Sequence, residues 1–353
     1  MIENSIFNLR KIFLILGTAC NFNCLYCVQQ ENKPRCKKHI KQEVIDWLDD
    51  VAYRLPQKFK PTIHFYGGEP LLYKEGIHQV IDRFGDDFEY IVVSNGSYLT
   101  KEDVDYFNTN NVRFILSHDA ENTITTRQID MLEDEEFVKL FNQLNNKGVD
   151  AVYSAQTQDL VKVYDYFKSR GIEHISLEDL VTSPMMSDTL TNFNPETLLK
   201  SYKVMGDELD SVYRGEASLS FLSDTFNRWV KRACMQLNHP NFGKFPICGV
   251  GKHTLAIDTQ GNVYLCKNFN VKLGTVSDEY EQLNEKAQVL IKEMRDKTLE
   301  SKGCFKCPAF YFCRGGCPFE QPSEAQKAKC KMIVARSQSV VSFIDNKMEI
   351  IKK

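Results

Sequence analysis

From residue 11 to about residue 177, short apolar runs alternate with stretches whose apolar positions recur every three or four residues. The runs KIFLILG from Lys11, TIHFYG from Thr62, EYIVVSN from Glu89, VRFILSH from Val112, DAVYSA from Asp150 and EHISLE from Glu173 predict β-strands. Between them the helical period predicts helices over Gln42 to Leu55, Lys74 to Phe84, Lys101 to Phe107, Asp134 to Lys147 and Asp159 to Ser169. Thr100 with Asp103 carries a capping-box signature, and Gly148 and Gly171 stand where helix C-caps belong. Repeated βα units predict a parallel sheet. Six of them are too few for an eight-stranded barrel, so the expected fold over residues 1–180 is α/β, either an open doubly wound sheet or a partial (β/α)6 TIM-like barrel.

The pattern then changes. Residues 181–240 read as a helical connector, with helices over Pro195 to Asp210 and Ser220 to Cys234. Residues 241–353 read as a small cysteine-rich domain of loops with one hairpin, HTLAID and NVYLC joined through Thr259, Gln260 and Gly261, and a closing helix over Ser323 to Ile350.

Composition narrows the function classes. The 353 residues are 42% hydrophobic, enough for a real core, and a net charge of −3 with interspersed signs offers no basic face for nucleic acid or a membrane surface. The early apolar run from Ile12 to Leu16 is too short for a signal sequence or a membrane span, which gives the expectation of a cytoplasmic protein. Twelve cysteines without an export signal then point to metal or cluster ligation rather than disulfides.

Cys20, Cys24 and Cys27 stand at CxxxCxxC spacing just after the first predicted strand, in the loop at the carboxyl end where βα folds place active sites. Three thiolates can hold an iron–sulfur cube by three corners and leave the fourth iron open. A zinc knuckle that borrows Cys36 or His39 fits the same spacing. The flanking Phe22 and Tyr26 can shield a cluster and contact a bound ring. The second strand ends in GGEP, where Gly67 and Gly68 permit close backbone approach and Glu69 offers a carboxylate to a cationic amino group.

On these residues the sequence resembles the radical S-adenosylmethionine (SAM) enzymes. The resemblance implies that Cys20, Cys24 and Cys27 hold a 4Fe-4S cluster whose fourth iron is chelated by SAM. It implies that Tyr26 lies near the adenine and that Gly67, Gly68 and Glu69 form the amino-group site. Ser94, Asn95 and Gly96 are similar to the family's ribose or carboxylate contact, SHDA places Ser117 and Asp119 as SAM contacts, and Arg127 is a candidate for the SAM carboxylate. The implied activity is reductive cleavage of SAM to a 5′-deoxyadenosyl radical that abstracts a substrate hydrogen, with a flavodoxin or ferredoxin as electron donor.

The C-terminal cysteines are similar to the SPASM extension, which carries two auxiliary 4Fe-4S clusters. Twelve residues separate Cys248 from Gly261 and four separate Gly261 from Cys266, while Cys304, Cys307, Cys313 and Cys317 keep CxxCxxxxxCxxxC spacing with Cys330 twelve residues beyond. The resemblance assigns Cys304, Cys307, Cys313 and Cys330 to an outer cluster and Cys248, Cys266 and Cys317 to an inner one. Three clusters with one open corner need eleven thiolates and the motifs supply ten, so Cys234 is the candidate for the last ligand and Cys36 is not expected to be one.

SPASM enzymes mostly modify peptides and proteins, which makes a peptide thioether, carbon–carbon link or similar change the expected product. Sulfatase maturases place an aspartate after the GxxxxC cysteine, where this chain has Lys267, a departure that tells against formylglycine formation. A first strand beginning near residue 11 leaves no room for an N-terminal leader-recognition domain, so a separate recognition protein or a leaderless substrate is expected. Small-molecule substrates and a non-enzymatic metal-stabilised scaffold are the alternatives. Asp119, His118 and Lys267 are the catalytic candidates, and Tyr153, Glu178 and Asp179 line the expected pocket by strand-end or loop position.

Overall fold

The computed structural model describes residues 9–30, 39–55, 60–184, 186–237, 248–250 and 253–352. Cys36 and the expected boundary near residue 240 lie outside them. The architecture is mixed α/β with a parallel sheet at its core and a cysteine-rich C-terminal region. Two compact units divide the chain: residues 1–118, 127–149 and 248–293 form the first, and residues 119–126, 150–247 and 294–353 the second.

In the first unit, β1 (Lys11–Gly17) is buried along nearly its whole length, the signature of a strand covered on both faces. It pairs in parallel with β2 (Thr62–Gly67), which pairs with β3 (Glu89–Ser94), which pairs with β4 (Arg113–Ser117). The register sets Phe13, His64, Ile91 and Arg113 in one row across the sheet. Helices α1 (Gln42–Arg54), α2 (Lys74–Phe84) and α3 (Lys101–Thr109) follow the first three strands, and α1 buries Val44, Ile45, Trp47, Leu48 and Val51 along one stripe. The Thr100–Asp103 capping box forms in both directions at the start of α3.

Two differences from the sequence pattern have local causes. After the short α4 (Thr123–Arg127), helix α5 spans Glu135–Gln143 rather than reaching Lys147. Its C-cap Leu144 turns to an extended ψ of 129°, and Gly148, expected as a cap, lies inside β5 (Lys147–Tyr153). Burying Val149, Ala151 and Tyr153 on alternate positions outweighs continuing the helix.

The second unit receives the chain within β5 and continues with α6 (Leu160–Lys168), β6 (Ile175–Asp179), α7 (Pro195–Tyr213) and α8 (Phe221–Leu237). The αL turn expected at Gly171 is present, with φ +70°, just beyond α6. Its core joins Tyr153, Leu160, Tyr202, Met205, Phe226, Trp229, Phe312 and Val340.

The chain beyond Cys248 is less loop-like than its texture suggests. The hairpin β7 (Thr254–Asp258) and β8 (Asn262–Tyr264) forms about the expected turn, but β7 also pairs in parallel with β1, and β9 (Lys272–Thr275) extends the sheet from β8. The sheet of the first unit therefore runs β4-β3-β2-β1-β7-β8-β9. A 22-residue helix, α9 (Tyr280–Ser301), replaces an expected loop, followed by the one-turn α10 (Phe310–Cys313) and the closing α11 (Glu324–Lys352). No helix among the described residues is long and apolar enough to cross a membrane.

Candidate functional site

The cysteine loop leaves the carboxyl end of β1 and is clamped to the end of β2. Gly68 N donates to Gly17 O at 2.9 Å, Glu69 N to Ala19 O at 2.8 Å, and Ala19 N to the Tyr73 hydroxyl at 3.1 Å. A Cβ on Gly67, whose φ is +149°, would lie 2.3 Å from Gly17 O, and one on Gly68 would lie 2.1 Å from Ala19 O. The two glycines thus admit the backbone of the cysteine loop itself, whereas the sequence suggested a ligand as the close neighbour.

Glu69 is 1% exposed and binds three donors: Leu71 N at 2.9 Å and Ser94 Oγ at 2.7 Å on Oε1, and Asn95 N at 2.8 Å on Oε2. Burial still pushes its carboxyl above the ordinary range against those bonds. A carboxylate in that state is stabilised by a nearby ammonium group. Asn95 extends the network to the loop: its Nδ2 donates to Asn21 Oδ1 at 2.9 Å and lies 3.9 Å from Cys20 Sγ, while Ser97 Oγ donates to Asn95 Oδ1 at 2.6 Å. Strand-end residues of β2 and β3 are in this way wired to the first cysteine. Asn21 and Ser97 carried no motif signal.

Arg127, 7% exposed, places its guanidinium 5.3 Å from the Tyr26 ring centroid, so these two candidates share one place. Ser117 ends β4, half-buried. His118 is buried with Nε2 2.7 Å from Asp130 Oδ1. Asp119, wholly buried, accepts from Val152 N at 2.9 Å and Thr126 Oγ1 at 2.6 Å, contacts that order its own loop. Lys267 Nζ lies 4.9 Å from the Phe13 ring and 4.5 Å from Tyr66, and its carbonyl accepts from Gln29 Nε2 at 3.5 Å. Beside it, burial and then Lys11, Lys267 and Arg113 lower His64 to about 3. This neutral imidazole was not singled out in the sequence.

In the second unit Tyr153 is buried with its hydroxyl 2.7 Å from that of Tyr202, while Glu178 is exposed. Burial acts to raise the Asp179 carboxyl, but Arg336, 2.8 Å away and also stacked over Tyr153 and Trp229, holds it down at about 2.

Cys304, Cys307, Cys313 and Cys330 line a single recess in the second unit. The Gln326 amide donates to Cys330 Sγ at 2.8 Å. Burial raises the thiols of Cys304 and Cys330, and that of Cys313 to about 11, despite neighbouring lysines. Thiols so placed ionise readily when iron binds them, and a four-thiol lining suits an iron–sulfur cube. Among the described residues no group of three or more His, Cys, Asp or Glu side chains is placed to hold a single metal ion. Burial likewise raises Cys266 in the first unit, where Cys248 is exposed. Cys317 is half-buried and Cys234 exposed in the second unit.

Residues 14–157 match the model of the Radical SAM superfamily. That segment is a radical SAM domain, and enzymes of that class work with SAM and a 4Fe-4S cluster. The radical SAM cyclopropyl synthase TigE of Paramaledivibacter caminithermalis is 21% identical over 333 residues, 88% of this chain and 68% of TigE. The serine-type anaerobic sulfatase-maturating enzyme of Bacteroides thetaiotaomicron is 23% identical, covering 94% of this chain and 89% of that one. Among solved structures, anSMEcpe with bound AdoMet and Cp18Cys peptide superposes with a TM-score of 0.70 at 16% identity over 96% of this chain and 99% of that chain. SuiB of Streptococcus suis bound to its precursor peptide SuiA gives 0.61 at 15% over 88% and 72%. These two likenesses establish the fold.

Proposed function

We propose that the chain is a maturase that modifies a peptide or protein, with residues 1–180 generating the radical, 181–240 connecting, and 241–353 holding two auxiliary 4Fe-4S clusters. The observation that carries this reading is the pair of cysteine sites: a three-thiol loop wired to Glu69 and Asn95, and a four-thiol recess elsewhere in the chain. Cys20, Cys24 and Cys27 would hold the first cluster and Cys304, Cys307, Cys313 and Cys330 the outer one. Cys248, Cys266 and Cys317, with Cys234, would hold the inner one. When bound, SAM and its cluster supply a 5′-deoxyadenosyl radical; the protein's part is to grip and orient it. Glu69 takes the SAM amino group, Arg127 the carboxylate, and Tyr26, Ser94, Asn95 and Ser117 the remainder.

The substrate class rests on likeness: the solved structures named above hold peptides, and a cyclopropyl synthase closes a ring by a carbon–carbon bond. We favour a thioether or carbon–carbon link made in the cytoplasm with a flavodoxin or ferredoxin as donor and a separate leader-recognition protein. The end-to-end likeness to sulfatase-maturating enzymes supports formylglycine formation as a second reading. Lys267 stands against it, since a cation held over Phe13 and Tyr66 does not replace a carboxylate base.

Anaerobic reconstitution tests the first part. About twelve irons per chain, with 5′-deoxyadenosine formed on reduction in the presence of SAM, is expected; zinc binding without iron would overturn it. Co-expression with short peptides encoded beside the gene tests the second. A product that has lost two hydrogens and is inert to aldehyde reagents supports a crosslink, and an aldehyde-positive product supports formylglycine.

A further inference from the structure

The recess lined by the four outer thiols is mostly apolar at its surface, with three buried charged side chains among its lining residues. Lys302, Glu320, Gln326 and Lys329 line it together with Cys304, Cys307, Cys313 and Cys330. The lysine side chains are only 2% and 7% exposed and Glu320 is 3% exposed. Lys329 Nζ lies 2.7 Å from Glu320 Oε1 and Lys302 Nζ 3.6 Å from Oε2, so two ammonium groups share one carboxylate. That carboxylate is further stabilised by Thr182, whose N and Oγ1 donate to Oε1 at 2.9 and 3.1 Å. Lys302 also donates to Cys317 O at 3.1 Å. On α11, Gln326, Lys329, Cys330 and Ile333 follow i, i+3, i+4, i+7 spacing, so one helix face brings an amide, an ammonium and a thiol to the same recess.

Burying a charge is costly unless it is compensated. One lysine would neutralise Glu320; the second is surplus within the triad. Four thiolates make a bound cluster an anion, and its reduction adds one more negative charge. Buried cations and hydrogen bonds to sulfur favour the more negative state and raise the potential. We propose that Lys302, Lys329 and Gln326 set the reduction potential of the outer cluster, holding it more oxidising than the same four thiolates would make it in a neutral pocket, with Glu320 as the opposing charge. The proposal rests on the assignment of Cys304, Cys307, Cys313 and Cys330 as cluster ligands.

The test is a potentiometric titration, followed by electron paramagnetic resonance, of the full chain carrying Cys24→Ala, so that the auxiliary clusters alone are read. Lys329→Met and Lys302→Met are expected to move one midpoint to more negative potential and leave the other in place. Gln326→Leu should move it the same way by less, Lys329→Arg should hold it, and Glu320→Gln should move it the opposite way. Shifts of opposite sign do not arise from loosened folding, and Glu320→Gln and Gln326→Leu decide the matter where a lysine variant loses iron. Midpoints unchanged in Glu320→Gln and Gln326→Leu at full iron content overturn the proposal. Failure of the Cys24→Ala chain to bind about eight irons overturns the ligand assignment beneath it.

Discussion

Cys20 lies exposed at the end of β1 among amide and hydroxyl groups, with Asn95 Nδ2 3.9 Å from its sulfur. Cys304 is buried, in a recess shared with three more thiols and two inward-facing lysines. Both places gather cysteines, yet their surroundings suit different work. Around the loop the polar groups are neutral donors, one buried carboxylate and the Arg127 guanidinium over Tyr26, an arrangement able to receive a zwitterionic ligand and release it. In the recess the cations are built into the fold, so the charge state of whatever it holds is biased by groups that do not exchange. An open site is adapted to a ligand, and a closed site to a potential.

The sharpest way to break this contrast is to remove one thiol. Cys24→Ala is expected to reduce SAM cleavage to the level seen without protein while about eight of about twelve irons remain. Cleavage at the parent rate would refute the ligand assignment. Next comes the clamp: in Gly68→Ala the new methyl meets Ala19 O at 2.1 Å and Ala19 C at 2.5 Å, both backbone atoms with nowhere to move. A destabilisation of about 1–3 kcal/mol and loss of the loop's four irons are expected, with the recess still loaded. Retention of all irons in this variant would show that the cysteine loop does not depend on its seat against β2.

Much of this was legible from local pattern. Strands β1, β2 and β3 are short, mostly apolar runs closed by Gly17, Gly67 and the Ser94–Asn95–Gly96 turn, and a run of that kind fixes its own limits. Cysteine spacing marked the loop and the recess because so few other residues keep such intervals. The pairing of β7 with β1 was not legible, since it joins segments some 240 residues apart and only the assembled sheet brings them together. Helix α9 hid behind a weak stripe, its Glu, Lys and Gln positions outnumbering the apolar ones. Lys302, Lys329 and Arg336 hid for another reason: a lysine or arginine in sequence is an ordinary surface residue, and only tertiary packing reveals one turned inward.

A subtler change separates the ligand site from its scaffold. Glu69→Gln keeps an oxygen for Ser94 and Leu71 but removes the negative charge, so the fold and the outer cluster should persist while SAM binds about 10–100-fold more weakly, the worth of one charged hydrogen bond. Equilibrium dialysis with labelled SAM reads this directly. Unchanged affinity would make Glu69 a brace between β2 and β3 and shift the amino-group contact to another residue.

The smallest effect concerns His64, on the same sheet as the loop. Burial, then Lys11, Lys267 and Arg113, lower it to about 3, so between that pH and its ordinary value near 6.5 the unfolded chain binds a proton that the folded chain refuses. Stability therefore rises with pH through this window and falls as acid is added below about pH 6.5, by at most about 1.4 kcal/mol per pH unit from this one group. Denaturant midpoints of the parent and His64→Gln, compared between about pH 7 and about pH 5, should converge as the pH drops, because glutamine has no proton to refuse. Since both proteins carry the same clusters, acid sensitivity of the iron sites contributes equally to each. Parallel pH profiles would mean that His64 is protonated in the folded chain, and that the cations along Phe13, His64 and Arg113 act on it less than their row in the sheet implies.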